Sequence, residues 1–317
     1  MAKEKMYSLA IRKRLNEEDH FWCHSDYTFT EVSIDDKGMY WFADPFVFEK
    51  DGVTYIFYEA FDLVQQKGLI GYSIFNQMTG EGSDPTIIIN EPYHLSFPNI
   101  FEYKGDIYIM PESCEDYTLH LYKAIHFPNE WERVYDVLPD AFVCDSIFIE
   151  KKKEQYLLTN ELCHHTPNGT YPSCWLKNYL YKVDGIKVLD DGIKVGEGEY
   201  GTRNAGKSFE ENGKLYRIGQ DCRFKSYGRG MVLFEVQSLS PYLETQIDAW
   251  VYDDMDSHIK RQNNSELIGV HTYNFSKNYE IVDFSQMKTL RTRTKIHRFI
   301  CTQKKRFYKV IKRLSGK

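Results

Sequence analysis

Two aspartates in this sequence occupy matching positions in a repeated pattern, and paired carboxylates are the groups that act on glycosidic bonds. Asp44 begins the segment DPFVFEKDGVTYIFYE, and Asp145 begins DSIFIEKKKEQYLLTN. If the two segments fold alike, their carboxylates face each other across a pocket, where one can serve as base or nucleophile toward a sugar. The alternative is that both aspartates are ordinary turn residues.

Three further side chains are candidates for the same pocket. Glu112, in IMPESCED, ends the second segment and is a candidate catalytic acid, and His94 lies just before that segment. His271, in GVHTYN, is expected to bind substrate or a metal's water, or to be a buried structural histidine. The residues that end the other segments are expected to bridge neighbouring blades by hydrogen bonds: Glu59, Asn160 and Gln220.

Cations concentrate in one later stretch, GTRNAGKSF followed by YRIGQDCRFKSYGRG. Arginine and lysine in loops between strands can hold a phosphate or carboxylate group. We therefore predict Arg203, Lys207 and Arg229 as substrate-binding residues, with Asp221 orienting Arg203. Arg217 is expected to be a solvated surface charge.

The sequence predicts neither a metal site nor a cofactor. The pair His164–His165 has no further ligand at metal spacing, and there is no phosphate-binding loop, GxSxG or dinucleotide motif. The seven cysteines form no CxxC pair. An odd number of unpaired cysteines indicates free thiols in a reducing compartment.

Four segments share one pattern: an apolar strand, a short charged turn, and a second strand centred on tyrosine. The matching tyrosines are Tyr55, Tyr108, Tyr156 and Tyr216. A β repeat with a period of roughly 40–50 residues is typical of propeller blades. With a fifth unit over Ile247–Phe284, the sequence predicts an all-β, five-bladed β-propeller; a β-sandwich is the alternative.

We divide the chain into a helical N-terminal extension (1–20), the propeller (21–286) and a basic amphipathic C-terminal tail (287–317). Twelve lysines or arginines and no acidic residue lie between Lys288 and Lys317, which leaves 28 basic and 46 acidic residues elsewhere. Apolar residues recur in the tail at the three- and four-residue steps of one helical face: Ile296, Phe299, Ile300, Phe307, Val310, Ile311 and Leu314.

A basic amphipathic helix of this kind suits an anionic membrane surface. Packing on the acidic body and nucleic-acid binding are the alternatives, and the acidic body argues against a nucleic-acid partner. The chain has no stretch of 18 uncharged apolar residues and no apolar core of a signal peptide near its start. We therefore expect a cytoplasmic protein, peripheral to the inner face of the plasma membrane.

The string WFADPFVFEKDGVTYIFYE resembles the first blade of the five-bladed propellers of glycoside hydrolase families 43, 32 and 68. A longer series resembles more closely the N-terminal propeller domain of plant glucosamine inositolphosphorylceramide transferases, found also in bacterial proteins linked to surface-polysaccharide synthesis: WFADPF, PYHLSFPNIFE, IYIMPES, LYKAIHFPNEW, CDSIF, NAGKSF, LYRIGQDC and YGRG. The resemblance spans about Trp41 to Phe284 and implies a five-bladed fold with a sugar-binding centre.

The resemblance also implies roles. Asp44 matches the aspartate that is base or nucleophile in those hydrolases, and Asp145 matches the one that tunes a pKa or holds the sugar. Blade four departs from the hydrolase pattern, because Arg203 and its neighbours stand where the hydrolases carry a general-acid glutamate. An arginine cannot protonate an alkoxide leaving group, but it can stabilise a phosphate, which leaves without a proton.

Three functions follow as hypotheses. The first is a glycosyltransferase that uses a nucleotide sugar or sugar phosphate as donor and builds a surface polysaccharide, such as capsule or lipopolysaccharide, or a glycolipid. In it Asp44 activates the acceptor or attacks the donor, Asp145 holds donor hydroxyls, and Arg203 takes the leaving phosphate. The second is a glycoside hydrolase with Glu112 as acid. The third is a non-catalytic module that binds a carbohydrate, free or lipid-linked, for a partner enzyme.

Overall fold

Five antiparallel blades make up most of the chain. A computed structural model describes residues 3–162, 175–263 and 265–314, so that His164 and His165 lie outside the described residues. The strands form one sheet of four strands and four sheets of five. The predicted five-bladed β-propeller is therefore confirmed.

The strands are numbered along the chain. β1 (Lys3–Lys13) and β2 (Phe29–Glu31) come first but belong to the fifth blade. The first blade holds β3 (Tyr40–Lys50), β4 (Val53–Asp62), β5 (Lys67–Asn76), β6 (Glu81–Gly82) and β7 (Thr86–Ile89). The second holds β8 (Ser96–Tyr103), β9 (Asp106–Glu112), β10 (Leu119–His126) and β11 (Glu130–Leu138). The third holds β12 (Val143–Lys151), β13 (Glu154–Leu162), β14 (Leu176–Asp184), β15 (Lys187–Val188) and β16 (Ile193–Gly198).

The fourth blade holds β17 (Tyr200–Asn204), β18 (Phe209–Glu211), β19 (Lys214–Asp221), β20 (Gly230–Leu239) and β21 (Tyr242–Val251). The fifth is completed by β22 (Ile259–Lys260), β23 (Tyr273–Phe275) and β24 (Tyr279–Thr289). Helices are α1 (Tyr252–Met255) and α2 (Thr292–Leu314), with 3₁₀ turns at Phe21–Cys23, Cys114–Asp116, Arg223–Lys225 and Asp256–His258.

Two-residue turns join the inner strands of the first four blades. Both residues of each turn have positive φ, as hairpins of the favoured primed types require: Asp51–Gly52, Lys104–Gly105, Lys152–Lys153 and Asn212–Gly213. We call this end of the channel the turn end. The opposite end, where β4, β9, β13 and β19 finish, is the mouth end.

The N-terminal segment does not form the helical extension predicted for residues 1–20. β1 pairs antiparallel with β24 along its whole length, from Lys3 opposite Thr289 to Lys13 opposite Tyr279. The apolar spacing of MYSLAI also fits a helix, but pairing with a long strand outweighs this local preference. The fifth blade is thus built from both ends of the chain.

The fifth blade also begins later than predicted. β21 continues the fourth blade, pairing with β20 as far as Val251 opposite Gly230. Residues 247–251 therefore belong to the fourth blade, since the long hairpin of β20 and β21 extends past the predicted boundary. The C-terminal strands of the fifth blade start only at Ile259.

Aromatic side chains fill the space between blades. Phe46 of the first blade meets Phe97 of the second edge-on, with ring centroids 5.1 Å apart. Trp22 stacks on Trp250 at 5.4 Å, which joins the fifth blade to the fourth. The high aromatic content of the sequence thus serves packing between sheets, where such pairs add to the effect of burial.

The C-terminal helix is present, and its first turns are attached to the propeller. Thr294 Oγ1 donates to the Gly38 carbonyl at 2.6 Å, and Arg298 Nε donates to the Leu63 carbonyl at 2.7 Å. Arg298 Nη1 also pairs with Glu4 at 2.8 Å. The first turns of the helix therefore pack on the body of the protein, which was the alternative to membrane binding. Among the described residues, no helix combines the length and apolar character needed to cross a bilayer.

Removing residues 1–13 should abolish cooperative folding. β1 contributes five buried apolar residues and a full ladder of pairs to β24, and losing them costs free energy comparable to the whole stability of a domain, about 5–15 kcal/mol. Removing residues 303–317, which lie beyond the attachments of Thr294 and Arg298, is the control and should leave the unfolding temperature nearly unchanged. Circular dichroism during heating measures both. Cooperative unfolding of the first truncated chain near the full-length temperature would contradict this account.

Candidate functional site

Irregular backbone at the mouth end places polar residues in the channel. The pairing register shifts within each of the first three inner strands, between Ala43 and Phe46, Ser96 and Asn99, and Cys144 and Ile147. Asp44, Phe97 and Asp145 lie in these shifts with φ of 49°, 44° and 46°. Left-handed backbone at residues other than glycine costs on the order of 1–3 kcal/mol and concentrates at functional sites, where bulges redirect side chains.

Asp44 is held from three sides. Its Oδ1 accepts a hydrogen bond from Thr272 Oγ1 at 2.7 Å, and its Oδ2 accepts one from the Phe97 amide at 3.2 Å. His271 Nε2 lies 3.5 Å from Oδ1. Behind it, Asp283 pairs with His271 Nδ1 at 2.7 Å and accepts from the Asp44 amide at 2.9 Å. The imidazole therefore lies between two carboxylates.

Arg203 joins the other two predicted carboxylates. Its Nε donates to Asp145 Oδ2, and its Nη2 donates to Asp145 Oδ1 at 3.3 Å and to Glu112 Oε2 at 3.1 Å. The ring of Tyr227 lies 5.1 Å from the guanidinium carbon. The Arg203 side chain is 11% exposed, and its Nη1 makes no hydrogen bond within the described part of the chain. Two N–H donors are thus unused at the centre of the cluster.

Glu59 is a buried carboxyl group whose Oε1 has no hydrogen-bond partner among the described residues. His94 Nε2 lies 3.5 Å from this oxygen, outside hydrogen-bond geometry. His94 Nδ1 accepts from the Gly68 amide at 2.9 Å, so the ring proton is on Nε2. The backbone can come this close to Glu59 and His94 only because residue 68 is glycine. A Cβ there would lie 2.7 Å from Glu59 Oε1. The prediction that Glu59 bridges two blades is wrong.

The predicted bridges do form at the two corresponding positions. Asn160 Nδ2 donates to the Thr202 carbonyl at 2.9 Å and connects the third blade to the fourth. Gln220 Nε2 approaches Asp145 Oδ2 at 3.5 Å from the fourth blade. These amides hold the blades together around the carboxylates.

Burial of several carboxylates together sets their protonation. Burial raises the pKa of Asp145 to about 7, against the attraction of Arg203 and with a further increase from Glu112. Burial, with repulsion from Asp44, raises the pKa of Glu59 well above its usual value. Burial also raises the pKa of Asp44, against the attraction of His271. These shifts favour the protonated form of Glu59, and they place Asp145 near its midpoint at neutral pH.

His271 titrates in the opposite sense. Burial alone would lower its pKa, but the carboxylates of Asp283 and Asp44 raise it above the ordinary value. The imidazole is therefore suited to carry a positive charge between them. His94 differs, since burial lowers its pKa and keeps the ring neutral at pH 7.

Two predicted substrate-binding residues lie together at the rim of the mouth end. Asp221 does not orient Arg203. It accepts from Arg223 Nε and Nη2 at 2.9 Å and from Arg229 Nη1 at 2.6 Å. Burial alone would raise the pKa of Asp221, but the hydrogen bonds from Arg223 lower it below its usual value. This group is a rim ion pair, separate from the carboxylate cluster.

Lys207 and Arg217 also differ from expectation. Lys207 lines a cavity of 750 Å³ at the turn end, with its Nζ 4.4 Å from the Phe275 ring centroid. Burial and the nearby Arg14 lower the pKa of Lys207 to about 8. Arg217 is buried rather than solvated, because Glu244 and the Gly201 carbonyl bind its guanidinium. Neither cation belongs to the carboxylate cluster.

Three residues of the cluster are not predicted from the sequence: Thr272, Asp283 and Tyr227. Asp283 had a signal, since a single aspartate interrupts the apolar strand YEIVDF, and buried aspartates are rare unless paired. Thr272 and Tyr227 had none, because hydroxyl and aromatic residues are common in strands and loops of this chain. Only the closed ring of blades brings them beside Asp44 and Arg203.

Two groups of three side chains have potential metal-ligand atoms within 4.8 Å of one another: Asp44, His271 and Asp283, and Glu112, Cys144 and Asp145. In the second group the guanidinium of Arg203 already pairs with both carboxylates. In the first, Asp283 holds Nδ1 of the histidine. The carboxylates and the histidine of the two groups therefore already have partners within the chain.

Replacing Arg203 with methionine should reduce stability mainly at alkaline pH. The unfolded-state pKa of aspartate is about 3.9, whereas the folded-state pKa of Asp145 is already about 7 and rises further without the guanidinium. A raised folded-state pKa stabilises the fold at low pH, and this contribution is lost as pH rises through the folded value. We expect a small loss in unfolding temperature at pH 5. At pH 8 the loss grows toward the cost of an unpaired buried charge, about 3–5 kcal/mol.

The control combines Arg203→Met with Asp145→Asn and Glu112→Gln, which removes Asp145 and the second carboxylate that Arg203 binds. Its stability relative to the native chain should change little between pH 5 and pH 8. Thermal unfolding across this pH range measures both variants. Equal losses for the single variant at the two pH values would show that Asp145 does not titrate in this window.

The fold is similar to that of several solved structures. An α-L-arabinofuranosidase from Podospora anserina, solved in complex with cellotriose, gives a TM-score of 0.57 at 10% identity, covering 82% of this chain and 96% of that one. A thermostable family-43 glycoside hydrolase gives 0.54 at 10% identity, covering 81% and 90%. At such low identity the similarity concerns the fold alone.

Sequence similarity is higher to the glucosamine inositolphosphorylceramide transferase 1 proteins of Arabidopsis thaliana and Oryza sativa subsp. japonica. The first is 29% identical over 238 residues, covering 73% of this chain and 30% of the relative. The second is 29% identical over 205 residues, covering 62% and 26%. The chain thus spans less than a third of the length of these relatives. The model of the family described as glucosamine inositolphosphorylceramide transferase 1, N-terminal, matches residues 7–277, and the chain belongs to that family.

Proposed function

We propose that this chain transfers a glycosyl group from a sugar phosphate or nucleotide sugar to a hydroxyl acceptor, in the synthesis of a surface polysaccharide or glycolipid. The supporting observation is Arg203, which binds Asp145 and Glu112 through Nη2 and whose Nη1 donates no hydrogen bond to any described residue. Arginine binds phosphate oxygens bidentately through such donors. The transferase names of the plant relatives agree with this class of reaction.

In the proposed reaction, the bond between the anomeric carbon and the phosphate oxygen breaks, and a bond to the acceptor oxygen forms. The acceptor proton passes to Asp44, whose carboxylate is already aligned by Thr272 and the Phe97 amide. The imidazole of His271, held by Asp283, provides the group of opposite charge beside Asp44. The electron pair leaves on the phosphate, which needs no proton and is stabilised by Arg203.

Asp145 connects donor binding to protonation. Its pKa of about 7 means that a proton is easily gained at this carboxylate. When Asp145 is protonated, its hold on Arg203 weakens, and the guanidinium can turn its donors to a phosphate. The protonated carboxyl group then serves as a hydrogen-bond donor or acceptor for sugar hydroxyls.

A second candidate is glycoside hydrolysis with Glu59 as proton donor. Burial raises the pKa of Glu59 well above its usual value and so favours its protonated form, and a hydrolase requires such a proton donor. Glu112, the acid suggested by the sequence, instead accepts hydrogen bonds from Arg203 Nη2 and from Cys114 Sγ. Glu59 is therefore the better proton donor in this second candidate.

The proposed location is the cytoplasmic face of the membrane. Two buried cysteines, Cys114 and Cys144, form no disulfide among the described residues, which suits a reducing compartment. The basic helix α2 supplies an attraction to anionic lipids. The reaction as proposed needs no cofactor beyond the donor substrate.

Asp44→Asn should lower transfer from the donor by about 10²–10⁴-fold, the range for loss of a general base, while donor affinity is retained. Turnover with a panel of nucleotide sugars and sugar phosphates measures the first quantity. Ligand-induced shifts in unfolding temperature measure the second, because a ligand stabilises the state that it binds. Full activity of Asp44→Asn would end the assignment of this residue.

Arg203→Ala should weaken both donor affinity and turnover, whereas Glu59→Gln should affect transfer only slightly. Arg261→Ala is a matched control, since Arg261 pairs with Asp256 near the outermost strand of the fifth blade. A hydrolase would show the opposite pattern on a neutral glycan, depending on Glu59 more than on Arg203. A binding module would show no turnover in any variant, and Asp44→Asn would change only its affinity.

A further inference from the structure

Helix α2 leaves the propeller at the mouth end, beside the carboxylate cluster. β24 runs from the turn end, passes Asp283, and finishes at Thr289. The helix then contacts Gly38 and Leu63, which precede β3 and follow β4 at the same end. The basic tail and the cluster therefore face the same side of the molecule.

Exposed aromatic side chains concentrate at this end. Within residues 3–162, 175–263 and 265–304, five aromatic side chains are exposed, and four of them lie at the mouth end: Tyr117, Trp175, Phe224 and Phe299. Phe224 is 78% exposed, at the tip of the turn after β19. Tyr135, the fifth, lies on the outer strand β11. Aromatic rings gather in this way on protein surfaces that contact the lipid headgroup region.

The helix adds an apolar face to the same surface. Thr294 and Arg298 face the propeller, whereas Ile296, Phe299 and Ile300 are 54%, 65% and 46% exposed. Packing on the protein body therefore leaves this apolar face uncovered. A face of three large apolar residues beside basic ones suits the interface of a bilayer.

The charge of this end favours an anionic partner. Helix α2 has nine lysines or arginines and no acidic residue. The rim contributes Arg223 and Arg229, and Arg291 before the helix is 65% exposed. Among the acidic groups at this end, Asp221 pairs with Arg223 and Arg229, Asp116 pairs with His120, and Glu115 accepts from the His94 amide. Anionic lipid attracts such a surface, at roughly 1 kcal/mol for each basic residue near the membrane.

We propose that the mouth end of the propeller docks on an anionic bilayer, so that the channel opens toward the membrane and the transferred sugar passes to or from a lipid-linked substrate. The choice of a lipid-linked substrate rests on the proposed function; the docking does not. Nucleic acid fits less well, because the exposed face combines aromatic and aliphatic side chains on one helix and its adjoining turns. A substrate held by a lipid would reach Asp44 and Arg203 without leaving the bilayer surface.

Vesicle binding tests the docking surface. The full chain is sedimented with vesicles of phosphatidylcholine and phosphatidylserine, and with vesicles of phosphatidylcholine alone. We expect binding to the first and little to the second, with binding weakened by salt as charges are screened. The double variant Phe224→Asn and Phe299→Gln should bind at least roughly tenfold more weakly, given the apolar area withdrawn from the membrane. Met78→Gln removes a side chain 97% exposed at the turn end and should bind normally.

Hydrogen exchange of the unmodified chain tests the orientation. With anionic vesicles, amides in helix α2 and in residues 222–229 should exchange more slowly. Amides in the two-residue turns at the turn end should exchange as they do in solution. Equal protection at both ends, or equal loss of binding in Met78→Gln and the double variant, would overturn the proposed orientation.

These measurements separate the docking from the reaction. If the protein docks by its mouth end but no donor supports transfer, the proposed function fails and the docking stands. If transfer to a soluble acceptor is observed without any binding to anionic vesicles, the docking fails and the proposed function stands. If the protein docks but transfers only to soluble acceptors, the lipid-linked substrate is wrong.

Discussion

The structure depends on the pairing of its first strand with its last. A propeller is stable only when its ring of blades is closed, and here closure is the ladder of eleven residue pairs between β1 and β24. The same ladder fixes β24 beside β3, so that Asp283 accepts the amide hydrogen bond of Asp44. The contact that completes the fold therefore also completes the candidate site.

The second constraint is electrical. Asp44, Glu59, Glu112, Asp145 and Asp283 are all buried near one another, and a cluster of like charges in a protein interior is strongly unfavourable unless it is compensated. Compensation comes in three forms: the guanidinium of Arg203, the imidazole of His271, and the raised pKa of Glu59, which favours its uncharged form. Arg203 comes from the fourth blade and His271 from the fifth. The carboxylates of the first three blades therefore receive both partners only when the ring is complete.

Local repetition made much of the fold predictable. The hairpins can be predicted because the two strands and the turn of each lie in consecutive residues. Aligning the hairpins places Asp44 and Asp145 at the same position of the repeat. The sequence indicates that Arg203 is a charge on the inner strand of the fourth blade. It does not indicate that Arg203 binds Asp145, because this contact joins the third blade to the fourth. The sequence of the turn that contains Asp221 does not indicate whether this carboxylate pairs with Arg203 or with Arg223, which is nearer in the chain.

Long-range pairing accounts for the other differences. The prediction of a helix for β1 is wrong because its partner strand, β24, lies at the other end of the chain. No local sequence pattern indicates such a distant partner. Glu59 was expected to bridge blades like Asn160 and Gln220. A glutamate side chain lacks the N–H groups that those amides donate, and Oε1 of Glu59 has no hydrogen-bond partner among the described residues.

The shared fifth blade has a consequence for how the protein is made. β1 is synthesised first among the strands, and β24 is synthesised last. At about 5–20 residues per second, the ribosome needs roughly 15–55 s between them. During that interval β1 has an unpaired backbone edge and apolar residues without a partner, which is the kind of segment that aggregates. We therefore expect nascent chains to need a chaperone on β1 until β24 has been synthesised.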